Sequence, residues 1–346
     1  NKLKKNKLIY LNKIRMNKRP MTDHKQLLPR RKSSRIKYID TPPINNLHDL
    51  VEIGHSVNFY RNIDSLTLCK ITPHIEELLA MVGMQELKDS IFYQILYYLQ
   101  GMHLKNDSEE YLHTMIFGPP GTGKTTVAKI IAKIYQGLGI LSPNASFRIA
   151  HRDDFIAGYL GQTAIKTQKL LKSCLGGVLF IDEVYSLAPR ENDKDSFSKE
   201  ALDILTAFLS EHKKDFCCIA AGYEDDIKSC FYGMNQGLQR RFPWVHRIIE
   251  YTPEHLSEIF KKMIMEHKWQ IVQKDNILVK FFEINKKLFP NAGGDIETFL
   301  SKCKMVHSKR VINMTPDHKF ILTQEDLENA IEMVKKHQVK PVEDPP

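Results

Sequence analysis

The chain has 346 residues, 42% hydrophobic and 26% charged, which suits a soluble globular protein with one or two cores. No apolar run approaches the roughly 20 residues of a membrane span, and even SIFYQILYYLQGM (90–102) carries Gln94 and Gln100. The net charge of +9 sits at one end: residues 1–37 hold 14 Lys and Arg against Asp23, while the other 309 residues carry 36 basic and 40 acidic side chains and so lack the footprint that tracks phosphate backbones.

The basic arm, from NKLKKNKLIY through PRRKSSRIK to TPP (41–43), is poor material for packing, so residues 1–47 read as a disordered arm and 48–72 as a linker. A charge run of this kind is most often a solvated tail. It also fits a nuclear localisation signal, a mitochondrial presequence or an electrostatic tether to nucleic acid or acidic protein. The expected compartment is the cytoplasm, with the nucleus and the mitochondrial matrix as alternatives that the arm leaves open. The chain opens on Asn1, which points to processing or truncation, with Met16 and Met21 as candidate internal starts. Six cysteines lie scattered without a C-x-x-C pair, and Cys217 and Cys218 fall together in an apolar run where a strand would send them to opposite faces. Reduced, buried thiols are expected.

From Pro73, PHIEELLAMVGMQELKDSIFYQILYYLQGM predicts two helices around a Val82-Gly83-Met84 turn. Short branched runs then alternate with helical stretches. The runs are YLHTMIFG (111–118), ASFRIA (145–150), GVLFIDE (177–183), DFCCIAAG (215–222) and HRIIEY (246–251), and the helices begin near Gly123, Thr163, Ser196 and Asp225. This is the α/β pattern of a parallel sheet, here five-stranded, covered by helices on both faces. Past Thr252-Pro253 every segment has helical spacing, which predicts a large domain over 73–252, a small all-helical domain over 253–340 and a tail over 341–346.

GPPGTGKTT, residues Gly118, Pro119, Pro120, Gly121, Thr122, Gly123, Lys124, Thr125 and Thr126, stands between a strand and a helix as a phosphate-binding loop requires. Backbone N–H groups converge at Gly121 and Gly123, the helix N-terminus adds partial positive charge, and Lys124 supplies an ammonium for the β- and γ-phosphates. Thr125 would place its hydroxyl on Mg²⁺. GVLFIDE ends a hydrophobic strand on two carboxylates, which belong at a strand tip facing phosphates: Asp182 for Mg²⁺ and Glu183 to polarise the attacking water.

Together with VGMQELKDSI, RDDFIAGYLGQTAIKT, GGVLFIDEVYSL, KEALDILTAFL, AAGYEDDI and GLQRRF, these motifs resemble the AAA+ ATPases over roughly residues 76–310, and most narrowly the subgroup of red-type Rubisco activase (CbbX) and sporulation protein K (SpoVK). The resemblance implies an ATP- and Mg²⁺-dependent hydrolase, a lid formed by the helical domain, and a homo-oligomer, usually a hexamer. It also implies that Tyr159, Leu160 and Gly161 line a central pore. In AGYLGQTAIKT these two apolar residues stand between Gly158 and Gly161, a mobile paddle suited to gripping an extended polypeptide. Arg241, with Arg240 as fallback, matches the arginine that acts on the neighbouring subunit's nucleotide. Two positions depart from the broad family: Tyr223 stands where many relatives place a γ-phosphate-sensing Asn, so that Tyr223 or Glu224 takes that role, and Gly294 and Asp295 replace a second sensor arginine. The expected function is remodelling of a client protein of unknown identity. The alternative is a nucleic-acid motor or loader tethered by the arm.

Overall fold

The computed structural model describes residues 37–105, 110–159, 161–189 and 196–338. The arm up to residue 36 and the tail over 341–346, expected to lie outside the core, fall outside the described residues. Structure begins earlier than expected. Tyr38–Ile39 pairs in parallel with Phe59–Tyr60, and helix α1 (Leu47–His55) starts at Asn46, whose side chain accepts from the backbone N–H of His48 and Asp49 at 2.8 and 3.1 Å. Helix α2 (Ser65–Leu79) is capped in the same way by Asp64. The expected linker over 48–72 is therefore corrected to two packed helices. Pro73 invites the misreading because proline favours a first turn, yet here it lies inside α2, where Leu68, Ile71, Ile75 and Leu78 are fully buried and outweigh the missing N–H. Helix α3 (Gln85–Leu99) follows the expected turn, with Met84 in the left-handed region at φ 59°.

Strands β1 (Thr114–Phe117), β2 (Phe147–Ala150), β3 (Val178–Ile181), β4 (Cys217–Gly222) and β5 (Trp244–Arg247) form one parallel sheet in the order β2-β3-β4-β1-β5. β5 begins two residues before the run that suggested it. Alternate residues feed two cores: Val178, Phe180, Cys217 and Ile219 pack with helix α4 (Lys124–Leu138) on one face, and Leu179, Ile181, Cys218 and Ala220 with α5 (Gln162–Lys172) and α6 (Ser196–Glu211) on the other. The adjacent cysteines do part to opposite faces, and burial pushes both thiols far up, which leaves them inert. Each fully buried Ile or Leu in these layers contributes roughly 1.5–3 kcal/mol. The register aligns Ile181 with Ala220 and Phe117 with both Gly222 and Arg247, so the carboxyl ends of four strands share one edge.

Past the short helix α7 (Gln236–Arg241), helices α8 (Pro253–Glu266), α9 (Asp275–Asn285), α10 (Gly293–Arg310) and α11 (Gln324–Gln338) pack around Phe260, Phe282, Phe289 and Phe299, whose ring centroids stand 5.3 to 6.3 Å apart. This part is helical apart from one parallel pairing of Gln270–Ile271 with Ile321–Leu322. Its fully buried anion is Asp326, which accepts from Arg310 Nε and Nη2 at 2.9 Å each, from the Thr323 N–H at 2.9 Å and from the His307 ring at 3.1 Å. Among the described residues no helix is long and apolar enough to cross a membrane.

Candidate active site

The carboxyl edge of the sheet carries the site, as it does in open α/β sheets generally. β1 runs into Gly118, whose N–H donates to Gly222 O at 3.1 Å and ties the loop to β4. Gly121 (φ 67°) and Gly123 (φ 88°) both occupy the left-handed region, where a side chain is strained, and this turns the chain into the start of α4. Thr122 Oγ1 donates to Pro119 O at 2.7 Å. The Lys124 ammonium folds over the loop and donates to Gly118 O and Pro119 O at 2.9 and 2.8 Å. Burial lowers its pKa, and the Asp182 and Glu183 carboxylates pull it back up, which places both acids within electrostatic reach of the lysine.

Asp182 follows β3 directly, half-buried, and its Oδ1 accepts the Glu183 N–H at 3.0 Å. Glu183 is exposed and adopts φ 49°, ψ 49°, a left-handed conformation rare for a residue with a Cβ and typical of sites where surrounding structure enforces strain. Arg152, from the RDD motif, donates to the carbonyls of Ser186 and Ala188 and so braces the turn that follows. Among the described residues no group of three or more His, Cys, Asp or Glu side chains could hold a metal. The half-buried Thr125 hydroxyl and the Asp182 carboxylate supply two hard oxygen donors, a set that fits Mg²⁺ completing its shell with phosphate and water.

Tyr223 stands past β4, and Lys124 Nζ lies 5.7 Å from its ring centroid. Glu224 is committed elsewhere. Arg247 grips both its oxygens at 3.0 to 3.3 Å and Lys228 pairs with it at 2.7 Å, and the Arg247 hydrogen bonds hold its carboxyl down at about 2. That leaves Tyr223 as the side chain beside Lys124 at this position. Arg241 is half-buried and turned onto its own chain, where Nε donates to Thr206 O (3.2 Å) and Ser210 Oγ (2.7 Å) and Nη1 to Gly237 O (2.6 Å); Arg240 beside it is exposed. Tyr159 is 73% exposed, and a Cβ on Gly158 or Gly161 would meet nothing within 4 Å, so these three positions are uncovered. Leu160 lies outside the described residues.

Sequence reasoning missed the turn Asn291–Gly294, which lands on the phosphate loop. The Gly293 N–H donates to Gly121 O at 3.1 Å, a Cβ on Gly121 would sit 1.8 Å from Asn291 O, and Tyr251 Oη donates to Thr122 O at 3.0 Å. Ala292 takes φ 43° to make the contact, and Asp295 caps the turn through the Asn291 N–H at 2.6 Å. Positive-φ residues leave no local signal when they are not glycine, which is why NAGGD read only as a departure from the family. Cavities of about 450 and about 750 Å³ flank the loop, one lined by Pro119, Tyr251 and Ala292 and the other by Met81, Thr126 and Lys262, both within the size range of small-molecule sites.

Residues 114–233, which contain the loop, both carboxylates and Tyr223, match the ATPase family associated with various cellular activities (AAA). A chloroplastic ribulose bisphosphate carboxylase/oxygenase activase of Cyanidioschyzon merolae is 35% identical over 64% of this chain and 74% of its own length. The chain belongs to the AAA+ ATPases. Within them it falls in the CbbX/SpoVK-like subgroup: a CfxQ-like protein of Acanthamoeba polyphaga mimivirus is 39% identical over 77% of this chain, and stage V sporulation protein K of Bacillus subtilis 40% identical over 58%. The chain spans 66% and 62% of the length of those two relatives. The fold of this AAA+ chain is also that of the FIGL-1 AAA domain solved with ADP (TM-score 0.53, 17% identical, 77% of this chain and 85% of that one) and of Thermotoga maritima RuvB (TM-score 0.52, 17% identical, 74% and 72%).

Proposed function

We propose that this AAA+ chain hydrolyses ATP with Mg²⁺ in a homo-hexameric ring and uses the cycle to pull on a client polypeptide. The observation that carries the reading is the convergence on one sheet edge of a lysine-bearing phosphate loop, Asp182 and a strained, exposed Glu183. In this reading the loop N–H groups and Lys124 bind the β- and γ-phosphates, Thr125 and Asp182 hold Mg²⁺, and Glu183 takes a proton from the attacking water. Bound Mg²⁺ would neutralise charge on the phosphates. Arg241, or the exposed Arg240, acts on the next subunit's nucleotide; for Arg241 this requires release from Thr206, Ser210 and Gly237. In this cycle the large part through Thr252, α1 and α2 included, and the helical lid from Pro253 onward move against one another, and the Gly293 hydrogen bond to Gly121 links them.

The pulling element is the Tyr159-Leu160-Gly161 tip. Its support is the exposed aromatic on a glycine-flanked loop together with Arg152, which connects that segment's base to the turn after Glu183. An aromatic tip grips apolar and backbone surface without reading sequence. The test is capture with Glu183→Gln, expected to bind ATP, stall and retain client. Adding Tyr159→Ala to the same trap is expected to release the client while ring assembly persists. If the arm-deleted protein instead binds nucleic acid tightly, is stimulated by it and loses both properties on Tyr159→Ala, the client is nucleic acid and the proposal falls.

A further inference from the structure

The segment RDDFIAGYLGQTAIKT holds more than its apolar tip, and its polar side chains are spent on the backbone that carries the tip. The one-turn helix Arg152–Phe155 ends just before the tip and leaves carbonyls without an intrahelical partner. Three side chains of α5 meet this stretch. Lys166 Nζ donates to Asp153 O and, at 2.9 Å, to Ile156 O; Thr167 Oγ1 donates to Phe155 O at 3.0 Å; and Thr163 Oγ1 accepts the Ala157 N–H at 3.1 Å. Thr163, Lys166 and Thr167 stand at i, i+3 and i+4, the spacing that gathers side chains on one face of a helix, and both threonines are fully buried. Between Ala157 and Thr163, where this clamp closes, stand only residues 158–162.

The same short helix is held from its other end. Arg152 donates to Ser186 O and, at 3.3 Å, to Ala188 O, while the Ser186 N–H donates to Glu183 O at 2.7 Å. An unbroken run of hydrogen bonds and one helical turn therefore joins the neck of the Tyr159 loop to the backbone of Glu183. The core seats this block, because Phe155, Leu170, Leu171 and Val184 are fully or almost fully buried in one cluster. Glu183 is sensitive to such support: its left-handed backbone at φ 49° persists only where the surrounding structure enforces it. Within the clamp Lys166 is the exposed member, and a cation on the last carbonyls of a helix is favoured by the helix dipole. Its ammonium can be removed without opening the core.

Resting on the reading of the tip and of Glu183 above, we propose that Lys166 is a positioning residue: with Thr163 and Thr167 it fastens the base of the Tyr159 loop to the turn that holds Glu183, so that a pull on the tip is felt at the backbone of the carboxylate. The test uses the full chain and reads hydrogen–deuterium exchange at single amides by mass spectrometry with electron-transfer fragmentation, without nucleotide, beside steady-state ATP turnover. Thr163→Val keeps the shape of the side chain and removes the acceptor of the Ala157 N–H, whose exchange is expected to rise about tenfold, the size of one hydrogen bond. Lys166→Met keeps the stem and removes the ammonium. It is expected to speed exchange at both Ala157 and Ser186 by about fivefold or more and to lower kcat about fivefold with KM for ATP unchanged. Lys166→Arg can bond both carbonyls and should restore exchange and kcat to the parent values. Faster exchange confined to residues 153–157 with a parental kcat overturns the proposal, as does parental Ala157 exchange in Thr163→Val or a kcat loss that Lys166→Arg does not rescue. If Thr163→Val fails to fold, the exposed Lys166 carries the test alone. Glu183→Gln run in parallel separates the two levels: if it hydrolyses ATP as fast as the parent, the ATPase reading fails, and the clamp stands or falls on exchange alone.

Discussion

Replacing Asp326 by Ala is expected to destabilise the lid more than any other single polar substitution in it. The carboxylate is fully buried and accepts from Arg310 twice, from the Thr323 N–H and hydroxyl, and from His307, itself only 1% exposed. Removing it leaves the His307 ring and a mostly buried guanidinium with no anion, and breaking one partner of a buried pair costs about 3–5 kcal/mol. At about 2–4 °C per kcal/mol for a domain of this size class, the melting temperature should fall by roughly 6–20 °C. Urea titration with far-UV circular dichroism gives the loss as a shift in midpoint at constant slope. The sign with pH is fixed as well. Burial pushes the Asp326 carboxyl up, but the Arg310, Thr323 and His307 hydrogen bonds together bring it below the ordinary aspartate value. A depressed carboxylate contributes stability above its unfolded pKa and loses it as pH falls through the folded one, so this contribution should disappear below about pH 4 in the parent and be missing throughout in the variant. A loss under about 1 kcal/mol, with the parent's acid transition unchanged, would refute the reasoning.

Lys124→Ala should lose nucleotide binding, whereas Glu183→Gln should bind fluorescent ATP normally and turn over at least about 10² more slowly. Arg241→Ala should keep ATP affinity and lose most hydrolysis, and mixing it with Lys124→Ala under verified subunit exchange should restore some activity at mixed interfaces; if Arg240→Ala gives that result instead, the exposed neighbour is the trans residue. Removing residues 1–36 should leave ATPase activity intact, but extending the cut through Asn46 should lower the melting temperature, because it takes away the Tyr38–Ile39 pairing and the cap of α1, a cap alone being worth about 1 kcal/mol.

What the sequence made legible was local. GPPGTGKTT and the Asp182-Glu183 pair are contiguous strings whose neighbours in the chain are also their structural context, and the sheet could be read because each buried strand is a short apolar run bounded by turns. The misread stretch at 48–72 failed for the same local reason. Pro73 looked like a beginning, while the true start at Asp64 depends on packing of Leu68, Ile71 and Ile75 that no window of sequence displays. Contacts through space were invisible: Gly121 against Asn291, Tyr185 over Gly222, and Arg247 closing on Glu224 each join segments that spacing rules treat as unrelated. Tyr223 was identified as a departure, and only the coordinates bring Lys124 to its ring.

The turn that rests on Gly121 is also the first turn of α10, and this gives the lid a mechanical advantage. An 18-residue helix is about 27 Å long, so a tilt of about 10° imposed at Gly293 moves the Arg310 end by about 5 Å. Because Gly121 and Gly293 meet without side chains, there is no compressible layer between the phosphate loop and the fulcrum: a displacement of a few tenths of an ångström at the loop backbone must either lift the lever or break the Gly293 hydrogen bond. Arg310 grips Asp326 at the far end, so α11 travels with the lever. In the cycle proposed above, the stiffness of that distant polar cluster would set how much of a stroke begun at the nucleotide reaches α11.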